Sequence, residues 1–139
     1  MFASQFAQVI GVAGNHDDVR QVSRGQGTLL DGNWVTMGPL CVGGTGLIMG
    51  HPSKPGRRTD ADQLDRIEAV AEARPDVLIL HEGPPGAAGQ PGQPLIKEIV
   101  RKHRVPLTIC GHKHWAKPIC RNEHGVILNA HERVIVLVR

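Results

Sequence analysis

Apolar residues fall along the chain in short blocks separated by glycine, proline and polar residues, and most of the blocks are of strand rather than helix length. Ala7 to Ala13, Val77 to Leu80, Leu107 to Cys110, Ala116 to Cys120, Val126 to Asn129 and Val134 to Val138 read as strands. The stretch from Trp34 to Gly50 predicts two more, Pro39 to Val42 and Leu47 to Met49, with Gly43-Gly44-Thr45-Gly46 as a hairpin turn between them. No helix opens behind those glycines, which argues against a phosphate cradle. A helical period occurs twice. From near Asp60, Leu64, Ile67, Val70 and Ala71 share one face until Arg74-Pro75 stops the helix, with Gln63 placed as a capping-box partner. From Pro94 to His103 a second helix turns Leu95, Ile99 and Val100 inward and ends before Pro106. Pro84 to Pro94, rich in Gly and Pro, is a loop within the same domain. Near-continuous apolar strands alternating with amphipathic helices predict an α/β fold with a buried parallel sheet.

With 139 residues and 40% apolar content, residues 1–139 amount to one domain, near the lower end of size for an α/β enzyme. Phe2, Phe6, Trp34 and Trp115 are the aromatic residues, so the core must rest on Val, Ile, Leu and Ala. A formal charge of +3 and a pI near 9.0 agree with an anionic substrate. The excess is spread along the chain rather than concentrated in a run, so nucleic acid binding is not indicated. Cys41, Cys110 and Cys120 form no CxxC pair, and an odd count argues for reduced thiols in a cytoplasmic setting. Cys110 lies inside an apolar strand and is expected in the core. No run approaches the roughly 18 apolar residues of a membrane span, so a soluble protein without a membrane partner is expected.

Chemistry-bearing residues stand where strands should stop. Gly14-Asn15-His16-Asp17 follows the first strand, His81 ends Val77 to Leu80, and Gly111-His112-Lys113-His114 follows Leu107 to Cys110. Open α/β sheets bind ligands beyond the carboxyl ends of their strands, so three such clusters can converge on a metal site. In extended backbone His112 and His114, two apart, leave the chain on the same side. His81 reads either as a core histidine or as a ligand, and Glu82 as structural or solvated. Asp18 suits the cap of a short helix. Lys54, Arg57 and Arg58, with His51, lie in a loop that borders the cleft, either as a solvated basic loop or as contacts for substrate phosphate. His103, His124 and His131 have no motif context and read as surface or cap residues. All the clustered metal donors are neutral, whereas divalent metal sites for phosphate chemistry usually carry carboxylates. No Asp-x-His and no Gly-Asp-x-x-Asp occurs in the sequence.

In order and spacing, Gly14 to Asp17, His81 and Gly111 to His114 are similar to the last three of the five motifs of the calcineurin-like metallophosphoesterases, over essentially the whole chain. The resemblance implies a layered α/β sandwich, sheets flanked by helices, incomplete at its N-terminus. It implies a centre of two divalent ions (Mn2+, Fe2+/Fe3+ or Zn2+), with Asn15, His81 and His112 facing the second ion and His114 the first. His16 would be the acid beside the scissile phosphate, suited to that by an imidazole pKa of about 6.5, with Asp17 orienting its ring. The implied reaction is hydrolysis of phosphomono- or phosphodiesters by a metal-activated hydroxide, and the form of the Gly-Asn-His-Asp motif tilts the substrate toward small phosphodiesters or nucleotides. The two absent motifs would have supplied the bridging carboxylate, so at most one tightly held ion is expected. A fragment or misplaced start, a natural remnant and a chain completed by another polypeptide would each account for that. The intact remaining motifs and the abrupt first strand favour the first. Missing leading strands would leave an open sheet edge prone to self-association. The alternative is a non-catalytic binding or interaction module that keeps the fold and at most one metal.

Overall fold

The computed structural model describes residues 5–19 and 27–138. Phe2 lies outside the described residues, as do residues 20–26, where Asp18 was expected to cap a short helix. In chain order the elements are β1 (Ile10–Gly11), β2 (Thr28–Leu29), β3 (Asn33–Met37), β4 (Leu40–Thr45), β5 (Ile48–Met49), β6 (Arg57–Arg58), α1 (Asp60–Glu72), β7 (Val77–Glu82), α2 (Pro94–Lys102), β8 (Leu107–Gly111), β9 (Ile119–Arg121) and β10 (Val126–Asn129). Six strands form the main sheet in the order β3-β4-β7-β8-β10-β9. The inner pairs β4–β7, β7–β8 and β8–β10 are parallel, and the outer pairs β3–β4 and β10–β9 are antiparallel. Two short parallel ladders, β1–β2 and β5–β6, flank the carboxyl end of β4.

The alternation along β7 and β8 shows which face carries the core. Leu78, Leu80, Thr108 and Cys110 are buried, while Val77, Ile79, Leu107 and Ile109 between them are only half-buried. Ile67, Val70 and Ala71 of α1 and Ile96, Ile99 and Val100 of α2 pack with Leu78, Leu80, Cys110 and Trp115 into one cluster. Each of the larger side chains gains about 1.5–3 kcal/mol by leaving water. Burial pushes the Cys110 thiol up to about 12, and Cys41 and Cys120 are partly accessible. Alkylation of the native protein should therefore modify Cys41 and Cys120 within minutes and Cys110 only after denaturation, as mass spectrometry would read directly.

Several elements depart from the sequence reading. Gly43, Gly44 and Thr45 belong to β4, with Thr45 its last residue, and form no hairpin turn; the chain reverses earlier, at Gly38-Pro39 between Met37 and Leu40. The reason is close packing on both faces. A Cβ on Gly43 would lie 2.3 Å from Val70 Cγ1, and one on Gly44 2.8 Å from Val12 Cγ1. Helix α1 is capped by Thr59, whose side chain accepts from the Asp62 N–H. Gln63 is instead buried, donating to the Gly46 carbonyl at 2.9 Å and accepting from Arg58 at 2.8 Å. In α2 the inward residue is Ile96, fully buried, while Leu95 is 52% exposed. Val134 to Val138 has the alternation of a strand but joins no ladder among the described residues.

Candidate metal centre

Three parallel strands of the main sheet, β7, β8 and β10, end at one edge, and the β1 segment reaches the same edge through Gly14. The Leu47 N–H donates to the Ala13 carbonyl at 2.8 Å. Gly56, in the left-handed region at φ +71°, lies so close to the Asn15 backbone that a Cβ there would sit 2.1 Å from its carbonyl oxygen. Asp17 closes the turn: its Oδ2 accepts the Gly14 N–H at 2.6 Å. Its carboxylate is thus engaged with the backbone, where the sequence reading had it orienting the exposed ring of His16.

His81 is aimed by an irregularity in its strand. Ile79 pairs with Ile109 but Glu82 with Gly111, so β7 carries one extra residue across Leu80-His81. His81 Nε2 lies 2.9 Å from Asn15 Oδ1, sixty-six residues away in sequence. Its ring centroid is 5.2 Å from that of His112. His112 reaches this position through a strained turn. Its φ is +62°, and the Lys113 N–H donates back to the Gly111 carbonyl at 2.7 Å. The His112-Lys113-His114 segment is therefore not extended, and its two imidazoles take different partners. His112 faces His81, and His114 faces His131 at 6.0 Å between centroids.

Asn15, His81 and His112 fit a divalent ion. Two donors side by side on one such ion, each at about 2.1 Å, stand about 3.0 Å apart at a right angle and about 3.4 Å at the tetrahedral angle, and Asn15 Oδ1 and His81 Nε2, at 2.9 Å, lie close to the first of these. The imidazoles also favour the neutral, ligating form. Burial, then the charge of His112, holds His81 below the usual imidazole range, with Asp17 opposing. Burial likewise lowers His112, opposed by Glu82 and assisted by Lys113, His131 and Arg57. Because both are depressed in the fold, their stability contribution is complete above about 6.5, the unfolded value. It is lost as pH falls from there toward the folded value, since the unfolded chain takes up the proton first. The melting temperature of metal-free protein should decline from pH 7 to pH 5, and His81→Gln should shallow that decline; a decline of equal depth in the variant would contradict this origin.

The remaining candidates separate clearly. Glu82, 5% exposed, is structural, accepting the Met49 N–H at 2.9 Å and the Gln93 amide at 3.2 Å. Arg58, its side chain largely buried, is engaged by Asp31, Asp62 and Gln63. Lys54 is exposed and Arg57 half-buried, and Arg57 is near enough to act on His112. His103 is the C-cap of α2, bound to Glu68 at 2.6 Å. His131, expected at the surface or as a cap, instead stands beside His114. Its signal was its place just beyond β10, a strand parallel to β8.

The profile of the calcineurin-like phosphoesterases matches residues 1–116. The chain belongs to the calcineurin-like phosphoesterase family. One solved crystal structure superimposes with a TM-score of 0.70 at 14% identity, covering 94% of this chain and 60% of its own. The crystal structure of TT1561 from Thermus thermophilus does so with a TM-score of 0.58 at 16% identity, covering 76% of this chain and 50% of its own. At these identities the likeness establishes the fold, and the chain spans about half to three fifths of the length of these neighbours. No curated protein matches it. The calcineurin-like phosphoesterases are divalent-metal hydrolases, and the six-stranded sheet and two helices among the described residues have their fold. Among the described residues no helix is long and apolar enough to cross a membrane.

Proposed function

We propose that the chain is a metal-dependent phosphoesterase acting on small phosphodiesters, nucleotides or phosphomonoesters in the cytoplasm, with Asn15, His81 and His112 holding one Mn2+, Fe2+ or Zn2+ ion. The observation that carries this is the meeting of three motif donors from separate strand ends, with Asn15 Oδ1 and His81 Nε2 at 2.9 Å. A divalent ion held by Asn15, His81 and His112 would supply a Lewis acid for a phosphoryl oxygen and would lower the pKa of water toward neutrality. The protein's own residues do the rest. His16, exposed one residue beyond Asn15, gives a proton to the leaving oxygen. Asp17 positions His16 and Asn15 by closing the turn that carries both. Lys54 and Arg57 offset substrate charge at the rim.

One observation favours a second reading, a non-catalytic module that binds metal. The carboxylates next to this donor set are engaged elsewhere, Asp17 with Gly14 and Glu82 with Met49 and Gln93. Hydrolysis of bis-p-nitrophenyl phosphate with added Mn2+ separates the two. The expected result is turnover that EDTA abolishes and that His16→Ala lowers by about 100-fold without changing Mn2+ affinity. Undiminished Mn2+ binding with no turnover on phosphodiester or phosphomonoester would establish the second reading.

A further inference from the structure

Strand β10 lies beside β8 and parallel to it, so the turn at Ala130–Arg133 opens at the same sheet edge as the Gly111–His114 loop. Asn129, 1% exposed, fastens the two. Its Nδ2 donates to the Lys113 carbonyl at 2.8 Å, and its Oδ1 accepts the His131 N–H at 3.1 Å. The Ala130 N–H donates to the Cys110 carbonyl at 2.8 Å, and the Arg133 guanidinium donates to the carbonyls of Trp115 and Ala116. Trp115 itself is fully buried, with its indole N–H on the Pro91 carbonyl at 2.7 Å. Both backbones that carry His114 and His131 are therefore fixed.

On this frame stand three donors that the assigned set does not use. One ring nitrogen each from His114 and His131 and a carboxylate oxygen of Glu132 all lie within 4.8 Å of one another. Their side chains are exposed or half-buried, so rotation can bring the donors to the roughly 3.0–3.4 Å spacing of ligands that share one ion. Glu132 sits at φ +55°, an uncommon conformation for this residue type, which directs its side chain back toward His131 at 3.9 Å. His131 is also close enough for its charge to reach His81 and His112, so this cluster adjoins the first donor set.

We propose that His114, His131 and Glu132 bind a second divalent transition-metal ion, of the zinc and cobalt class, beside the ion held by Asn15, His81 and His112. Two imidazoles and one carboxylate, with further positions left open, suit zinc and cobalt rather than the all-oxygen preference of calcium or magnesium. Glu132 supplies the anion that the first set lacks. The sequence reading of at most one tightly held ion counted neither His131 nor Glu132 among the donors. The inference deepens the preceding reading and rests on it for the neighbouring ion alone.

The test is a titration of EDTA-stripped protein with Co2+, followed by visible absorption, and with Zn2+, followed by calorimetry. Wild type should take up two ions per chain. Glu132→Gln and His131→Ala should each retain one tightly and weaken the other at least tenfold, while His81→Ala should lose the opposite one. Glu132 is exposed on a turn, so its variant keeps the test decisive even if His131→Ala fails to fold. A Glu132→Gln titration that superimposes on wild type overturns the proposal, as does a single ion that only His81→Ala removes. A single ion removed by Glu132→Gln and retained by His81→Ala sustains this site and overturns the one assigned to Asn15, His81 and His112. Absence of binding altogether overturns both.

Discussion

Gly43→Ala should cost about 3 kcal/mol, near the upper end for overpacking a core and a large share of the roughly 5–15 kcal/mol that a domain of this kind commands. The added Cβ would lie 2.3 Å from Val70 Cγ1 and 3.5 Å from Pro75 Cβ. Neither can yield cheaply. Val70 is β-branched, hence stiff in a helix, and is fully buried on the face by which α1 covers β4. β4 in turn is hydrogen-bonded on both sides, to β3 and β7, and cannot shift without breaking a ladder. Denaturant unfolding of Gly43→Ala, Val70→Ala and the double variant checks the cause. The double variant should be markedly more stable than the sum of the two losses, because the smaller helix residue makes room for the new methyl. Strict additivity would mean that the damage arises elsewhere.

His81→Ala should weaken binding of the first ion by more than about 100-fold, exceeding the 10–100-fold typical of losing a supporting residue outside the ligand set. It removes a donor that stands next to each of the others, 2.9 Å from Asn15 Oδ1 and 5.2 Å between ring centroids from His112. Asn15→Ala should cost less, about tenfold, since an amide oxygen is a weaker ligand than an imidazole for these ions. Calorimetric titration with Mn2+ or Zn2+ gives both numbers. A smaller loss for His81→Ala than for Asn15→Ala would reverse the assigned roles. The fold should survive His81→Ala, because His81 lies on the half-buried side of β7, away from the helices.

Much of this arrangement was legible in the sequence wherever a local pattern and its tertiary setting agree. Asp60–Glu72 and Val126–Asn129 emerge as read, since a helical stripe bounded by Pro75 and an apolar run bounded by Gly125 each have one sensible burial. Asn15, His81 and His112 were legible because each stands where a strand stops, and parallel strands put those stops together. Legibility failed where packing overrides local chemistry. Glycines usually mark turns, but Gly43 and Gly44 are there because Val70 on one side and Val12 and Leu30 on the other leave no volume for a side chain. His-x-His suggests two rings on one side of an extended chain, but the tight turn at His112 sends them to different partners. His131 was passed over because no motif contains it. Only the parallel pairing of β10 with β8, a non-local fact, brings it to His114.

Anomalous X-ray scattering from crystals grown with Mn2+ decides whether Asn15, His81 and His112 hold one ion. The expected result is an anomalous peak in ligating contact with Asn15 Oδ1, a ring nitrogen of His81 and a ring nitrogen of His112. A fully occupied Mn2+ site elsewhere, with His81 Nε2 still hydrogen-bonded to Asn15 and no peak between them, would contradict it.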